Sequence, residues 1–333
     1  MVKLQLAVCD VVMNKIDVCC AECGKEGGVS LKACKSCMQV KYCNAICQKN
    51  HWPKHKKLCK EHAAELRDEA LFKDPPPKEE CPICFLPMPA RLICCILLPP
   101  ATISSVPIYN FAIANPELAA KETDNNYPCC GKSICRGCIY SFHKSGNLDK
   151  CPFCNSDQGG KTDEEMVREV MKRVEVNDAA SFYLLANSYH DGVGGIQPDQ
   201  AKAMEIYVKA ANLRSSKASY ALGNIYYDGG DSKKAKFHFE AAAMAGDKVA
   251  RINLGIMETR SGNVERGFKH WIIAASAGEF DAMNHLQIGF EKGLVSRDTM
   301  DSTLKAYNNS CVEMRSEARD AFIRGYINSI DAG

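Results

Sequence analysis

The sequence predicts a multidomain chain: two small, metal-dominated α+β modules followed by an all-α helical-repeat solenoid. Three observations predict it. Nineteen of the 20 cysteines lie at or before Cys154, leaving only Cys311 beyond. Those nineteen include two sets at metal-ligand spacing, one between Cys20 and Cys59 and one between Cys81 and Cys154. Past them, Leu185, Leu222, Leu254 and Leu286 recur at intervals of 37, 32 and 32 residues, the mark of stacked supersecondary units.

Composition bounds the class. A chain of 333 residues has room for two or three domains. A net charge of +2 and a pI near 7.8 give no global polycation to attract nucleic acid, and 46% hydrophobic residues permit a real core. Residues 1–17 form a separate N-terminal segment, in which Lys3, Asp10, Lys15 and Asp17 break up the apolar residues. It lacks the continuous apolar centre of a signal peptide. Cysteines at metal spacing then read as zinc ligands in a reducing compartment, the cytoplasm or nucleus, and not as disulfides.

The first module spans residues 18–60. Its ligand-type residues are Cys20, Cys23, Cys34, Cys37, Cys43, Cys47, His55 and Cys59, in the order C-x-x-C, C-x-x-C, C-x-x-x-C, H-x-x-x-C. Residues four apart share a helix face, so Cys43 with Cys47, and His55 with Cys59, can each point at one metal. This spacing, with Tyr42 and the run Gln48-Lys49-Asn50-His51-Trp52-Pro53, closely resembles a MYND zinc finger. The resemblance implies one zinc on Cys20, Cys23, Cys43 and Cys47, and another on Cys34, Cys37, His55 and Cys59. Cys19 is then a spare neighbour, and His51 falls outside the pattern. It also implies a shallow groove for proline-containing peptides, with Gln48 as a polar contact and Trp52 as a flat wall. The alternative is that Trp52 only covers the small zinc core. Lys49, Lys54, Lys56, Lys57 and Lys60 make the segment basic, which reads as a solvated helix face; nucleic acid is not the expected partner.

Residues 61–79 read as a helix, with Ala63, Ala64, Leu66, Ala70 and Leu71 among charges, ended by the stiff run Asp74-Pro75-Pro76-Pro77-Lys78. Residues 80–156 hold Cys81-Pro82-Ile83-Cys84, then Cys129-Cys130, then Cys135 and Cys138, then Cys151-Pro152-Phe153-Cys154. Each C-x-x-C is a turn that sets two thiolates on one side of a loop, and eight thiolates suffice for two closed tetrahedral sites. The order of pairs resembles the RING family, in an all-cysteine variant. The resemblance implies one zinc on Cys81, Cys84, Cys135 and Cys138, and another on Cys129, Cys130, Cys151 and Cys154. Lys132 stands where the family usually has histidine, and His143 is a possible substitute for one of the adjacent pair Cys129 and Cys130. The first loop carries a long insertion. Its stretch Leu92 to Pro116 has no charge, and Pro99, Pro100 and Pro107 argue against a membrane-spanning helix, so an ordered loop or strand is expected there and no membrane partner. Cys94 and Cys95 read as buried thiols.

Residues 157–178 are a polar linker and a helix with Met166, Val167, Val170, Met171 and Val174 on its apolar side. From 179 to 333 the repeats take over. Ser181, Ala218, Ala250 and Ala282 recur before the leucines. Tyr189, Tyr226 and Phe290 recur after them, with Glu258 the exception. A second helix brings Ala203, Ala235 and Gly267, then Tyr207, Phe239 and Trp271. Small residues let helices approach while aromatics fill the layer between. The pattern resembles Sel-1-like repeats, relatives of the tetratricopeptide repeat. A fourth repeat drifts around Tyr307, as expected of a unit leading to a C-terminal cap.

The chain carries no phosphate-binding glycine loop, no dinucleotide fingerprint and no nucleophile elbow, and it has no stretch resembling the methyltransferase domain that accompanies some MYND fingers. No catalytic residue is assigned, and four structural zincs are expected, two in each module. The expected function is a zinc-binding interaction scaffold. Its RING resemblance implies a ubiquitin ligase that brings a conjugating enzyme, docked on Ile83, Ile139 and Pro152, to substrates held by the first finger or the repeats. The alternative is a non-catalytic adaptor that assembles protein complexes.

Overall fold

The computed structural model describes residues 19–25, 30–88 and 125–331. Residues 1–17, the apolar insertion from Leu92 to Pro116, and Cys94 and Cys95 lie outside that set. The chain forms two compact units, one up to Lys73 and one from Asp74 onward.

Among its described residues the first unit is built on metal ligands, its buried core being cysteines with Tyr42. A two-residue hairpin pairs β1 (Lys32–Ala33) with β2 (Lys41–Tyr42), antiparallel, with Lys32 opposite Tyr42. One continuous helix follows, α1 (Ala45–Phe72), started by the Asn44 side chain accepting from the Cys47 N–H. The expected finger helix and the expected linker helix are therefore a single element, with Pro53 inside it. The buried core is Cys20, Cys34, Cys37, Tyr42 and Cys59, with Cys43 and Cys47 against it.

The second unit opens with another small zinc module. Strands β3 (Asn125–Asn126) and β4 (Ser133–Ile134) pair antiparallel, and α2 (Arg136–Lys144) follows directly. Its core joins Met88, Ile134 and Ile139 to Cys81, Cys135, Cys138 and Cys151. A complete capping box, Thr162 with Glu165, starts α3 (Asp163–Val174), whose Val167 and Val170 enter the core of the first repeats.

The repeats are antiparallel helix pairs: α4 (Ala179–Asp191) with α5 (Gln200–Asn212), α6 (Ser216–Asp228) with α7 (Ser232–Met244), and α8 (Lys248–Arg260) with α9 (Val264–Ser276). Asp199, Ser215, Asp231 and Asp247 each cap a helix N-terminus through the side chain. The column Ser181, Ala218, Ala250 and Ala282 is fully buried, as are Leu222, Leu254 and Leu286. Glycine is required beside the aromatics. A Cβ at Gly255 would lie 2.2 Å from Nε1 of Trp271, and one at Gly223 would lie 2.5 Å from the Phe239 ring.

The fourth pair, α10 (Phe280–Glu291) with α11 (Arg297–Glu313), departs from the pattern. Helix α11 runs 17 residues where the earlier second helices run 13, and it buries Tyr307. The last helix, α12 (Glu317–Asp331), does two things. Ile323 joins Met314 in the repeat core, which is a cap. Along the same helix, Phe322 meets Tyr140 of α2 edge-on at 5.9 Å, which ties the repeats to the zinc module. Lys78 extends the tie by donating to Ser310 Oγ at 2.8 Å, and Lys217 by donating to Asn126 Oδ1 at 3.3 Å. The zinc module and the repeats keep separate cores, and these contacts join them within the second unit. Among the described residues no helix is long and apolar enough to cross a membrane.

Candidate zinc centres and binding faces

Four turns share one backbone design. At Cys20–Cys23, Cys34–Cys37, Cys81–Cys84 and Cys151–Cys154, the carbonyl of the first cysteine accepts from the N–H four residues on, at 2.8–2.9 Å. Those following residues, Gly24, Met38, Phe85 and Asn155, all have φ between 55° and 67°. The left-handed residue swings the chain back so that both thiols face inward. Cys130 is likewise followed by Gly131 at φ 65°.

These turns meet helices to make four clusters, each with all ligand atoms within 4.8 Å of one another: Cys20, Cys23, Cys43, Cys47; Cys34, Cys37, His55, Cys59; Cys81, Cys84, Cys135, Cys138; and Cys129, Cys130, Cys151, Cys154. The measured Sγ–Sγ edges run from 3.5 Å (Cys43–Cys47) to 3.9 Å (Cys84–Cys135), with Cys37 Sγ at 3.2 Å from His55 Nε2. A tetrahedron with Zn–S bonds of about 2.3 Å has edges of about 3.8 Å, so the donor sets fit zinc. Disulfides, at about 2.05 Å, are excluded for these pairs. Adjacent Cys129 and Cys130 both reach the fourth cluster, and His143 is not among its donors. Closed sites with four protein donors leave no position for a substrate water, so the zincs are structural.

The surroundings favour thiolate at one cysteine of each cluster, while Cys43, Cys47, Cys59, Cys84, Cys129, Cys130 and Cys138 are pushed up by burial and by the neighbouring thiols. Burial raises the Cys20 thiol, but backbone N–H groups of Cys23, Cys43 and Glu22 outweigh it and bring it down to about 6. Cys34 also falls to about 6, burial being outweighed by the N–H groups of Cys37 and Ser36. Cys135 falls to about 4, chiefly through its hydrogen bond with Cys138, helped by Arg319. The Ser156 hydroxyl and N–H overcome burial at Cys154, which sits near 7. A second layer supports His55: His51 stacks on it at 5.6 Å and 9°, and Tyr42 Oη lies 3.0 Å from His51 Nδ1. Such outer partners fix ring orientation in metal sites. The sequence pattern had left His51 outside the site.

The proposed contact residues divide. Gln48 is exposed, and Trp52 is 40% exposed with its ring edge-on to His55 at 6.4 Å. Ile83 is 38% exposed and Pro152 is half-buried. Ile139 is only 4% exposed and lies in the module core, so it offers no docking surface. The reason is helical spacing: Cys135, Cys138 and Ile139 stand at i, i+3 and i+4, so the residue points inward with the ligands.

Comparison with known proteins agrees with two of the three modules. Residues 20–59 match the MYND finger family model, and residues 180–215, 216–247 and 251–279 match the Sel1 repeat model. The chain is similar to the chitin synthase regulator SKT5 of Saccharomyces cerevisiae, 29% identical over 40% of this chain and 21% of that protein. It is also similar to the F-box protein At1g70590 of Arabidopsis thaliana, 28% identical over 32% of this chain and 31% of that one. The chain thus spans about a third or less of either relative. Among solved structures, a Sel1 repeat protein from Oxalobacter formigenes aligns at 23% identity and a TM-score of 0.40, over 55% of this chain and 74% of that one. The protective antigen c5321 of uropathogenic Escherichia coli aligns at 21% identity and 0.39, over 66% and 49%. With zinc-fitting clusters in both cysteine-rich modules, the chain carries a MYND finger, a second zinc module and a run of Sel1 repeats.

Proposed function

We propose that this chain is an interaction scaffold whose first finger takes proline-containing peptides on Gln48 and Trp52 while the repeats hold a further protein. One observation carries the reading: Trp52 is half-exposed one helical turn from exposed Gln48, and its ring rests edge-on against the ligand His55. An indole held by the zinc core presents a flat apolar wall without losing rotamer freedom on binding. A polyproline segment likewise arrives with little conformational entropy left to lose. The thiolate sites need a reducing compartment, which keeps the reading to the cytoplasm or nucleus. The test is a titration of the full zinc-loaded chain with a panel of fluorescent proline-containing peptides. Trp52→Ala should weaken the best binder at least about tenfold, as loss of an aromatic anchor does, with the zinc content unchanged. Equal affinity in the variant sinks the reading.

A second reading makes the second zinc module a RING-type ubiquitin ligase. Exposed Ile83 and half-exposed Pro152 support it as apolar contacts for a conjugating enzyme. Burial of Ile139 counts against it. Catalysis of this kind is positioning of a thioester carried by the partner, and it needs no reactive group on this chain.

A further inference from the structure

Among the described residues Arg319 is the largest fully buried side chain, and it sits on α12, far in sequence from the zinc module it enters. Its Nε donates to Cys135 Sγ at 3.4 Å and its Nη2 to Cys84 Sγ at 3.6 Å. Nη2 also donates to the Leu86 carbonyl at 3.4 Å, and Nη1 to the carbonyls of Pro87 at 2.9 Å and Met314 at 2.6 Å. A guanidinium has five N–H donors. All five are used, two of them on thiols of the third cluster.

Burying a guanidinium is costly unless charge and hydrogen bonds compensate. Carbonyls supply three acceptors here but no net negative charge. A zinc with four thiolates carries a formal charge of −2, and that charge is what makes the position tolerable for a cation. Conversely, N–H groups aimed at sulfur spread thiolate charge and hold the ligands in place. The backbone is shaped for this approach. Gly137, between Cys135 and Cys138, is where α12 crosses: a Cβ there would lie 2.7 Å from Arg319 Cγ and from its backbone nitrogen.

We propose that Arg319 is a positioning residue of the third zinc site, so that metal retention by Cys81, Cys84, Cys135 and Cys138 and docking of the last helix are one coupled event. The repeat stack is thereby latched to the zinc module by the metal. Loss of that zinc frees the four sulfurs to take up protons and to move, so the buried guanidinium loses its fixed acceptors and α12 loosens, taking Phe322 from Tyr140 and Ile323 from the repeat core.

The test uses the full zinc-loaded chain, a chelator, and maleimide labelling mapped to each cysteine by mass spectrometry. Arg319→Met keeps the apolar stem and removes the donors. It should label Cys81, Cys84, Cys135 and Cys138 at least about tenfold faster, the range typical when outer partners of a metal site are lost. The other ligand cysteines should keep wild-type rates. Arg319→Lys restores charge without the fork and should recover only part of the protection. Gly137→Ala, with Arg319 intact, should give the same selective effect. With cadmium in place of zinc, one ¹¹³Cd resonance of four should move in Arg319→Met. In the wild-type chain, withdrawal of metal should raise hydrogen exchange at amides 314–323 before the helices from α4 to α9 open, a readout that stands even where a variant folds poorly. Wild-type or uniformly raised labelling in all three variants, or exchange at 314–323 indifferent to metal, overturns the proposal.

Discussion

Arg266 Nε donates to Glu258 Oε1 at 2.7 Å, and this pair explains why a carboxylate stands in a column otherwise filled by aromatics. Glu258 is 1% exposed, and it also accepts from Lys236 at 2.7 Å and from Asn263 at 2.9 Å. Burial raises its carboxyl, but the hydrogen bonds from Lys236, Asn263 and Arg266 outweigh it and hold it below the usual range. Its folded pKa is thus lower than its unfolded one. The stabilisation is present above about pH 4.3, the unfolded value, and is lost as pH falls through the folded value. Glu258→Gln should cost about 3 kcal/mol at pH 7, the low end for breaking a buried pair because Lys236 is partly solvated. The gap between wild-type and variant should close as acid is added below pH 4.3. Urea melts at pH 7 and near pH 3 with the same gap would refute this account.

Gly255 faces Trp271, whose Nε1 donates to the Ile252 carbonyl at 3.3 Å. Gly255→Ala would place a methyl 2.2 Å from that nitrogen and would have to break the bond or shift α9. A helix position normally gains up to 1 kcal/mol from this change. Here overpacking of about 1–3 kcal/mol should win, and the melting temperature should fall. A rise would mean that the helices slide apart without loss.

The separate units predict different consequences for different cysteines. Zinc analysis of the intact chain should give four per molecule. Cys37→Ser should remove the two zincs of the first finger, with its collapse, and leave the far-ultraviolet helical signal of the repeats intact. Cys135→Ser should instead also loosen α12, seen as faster exchange at amides 314–323. Identical exchange maps for the two variants would mean that the units are not independent in this way.

The four zinc clusters were legible because ligand spacing is local: two residues between ligands make a turn, and three make one helix face. The repeat columns were legible because Leu222, Leu254 and Leu286 are each buried by the neighbouring pair, which forces periodicity. Glu258 stood out as an anomaly, but its meaning depends on Arg266 and Lys236 arriving from two other helices. Ile139 was misread because an apolar residue after a ligand pair looks like a surface contact until the helix phase is fixed. Arg319 left no signal at all. A single arginine in a helix of charged and aromatic residues reads as surface, and only the fold sets it against a thiol 184 positions earlier.

That separation decides how the ligase reading should be tried. A segment ending near residue 160 lacks Arg319, Phe322 and Ile323, so it should lose zinc from the third cluster and fail for reasons unrelated to activity. The full chain is the right reagent, with discharge of ubiquitin from charged conjugating enzymes as the measurement. Ile83→Ala should lower the rate about tenfold or more while all four zincs stay, because Ile83 is an exposed residue between two ligands. Asn155 follows the last ligand, where active members of the resembled family often place arginine, and two effects compete there. A guanidinium could reach both partners, but Asn155 has φ 58°, a conformation that asparagine tolerates better than arginine. The strain costs about 1 kcal/mol, which is small against a site held by metal. Asn155→Arg should therefore raise discharge and slightly hasten labelling of Cys154. Four retained zincs with no discharge from any enzyme, in wild-type and Asn155→Arg alike, would leave the adaptor as the reading that stands.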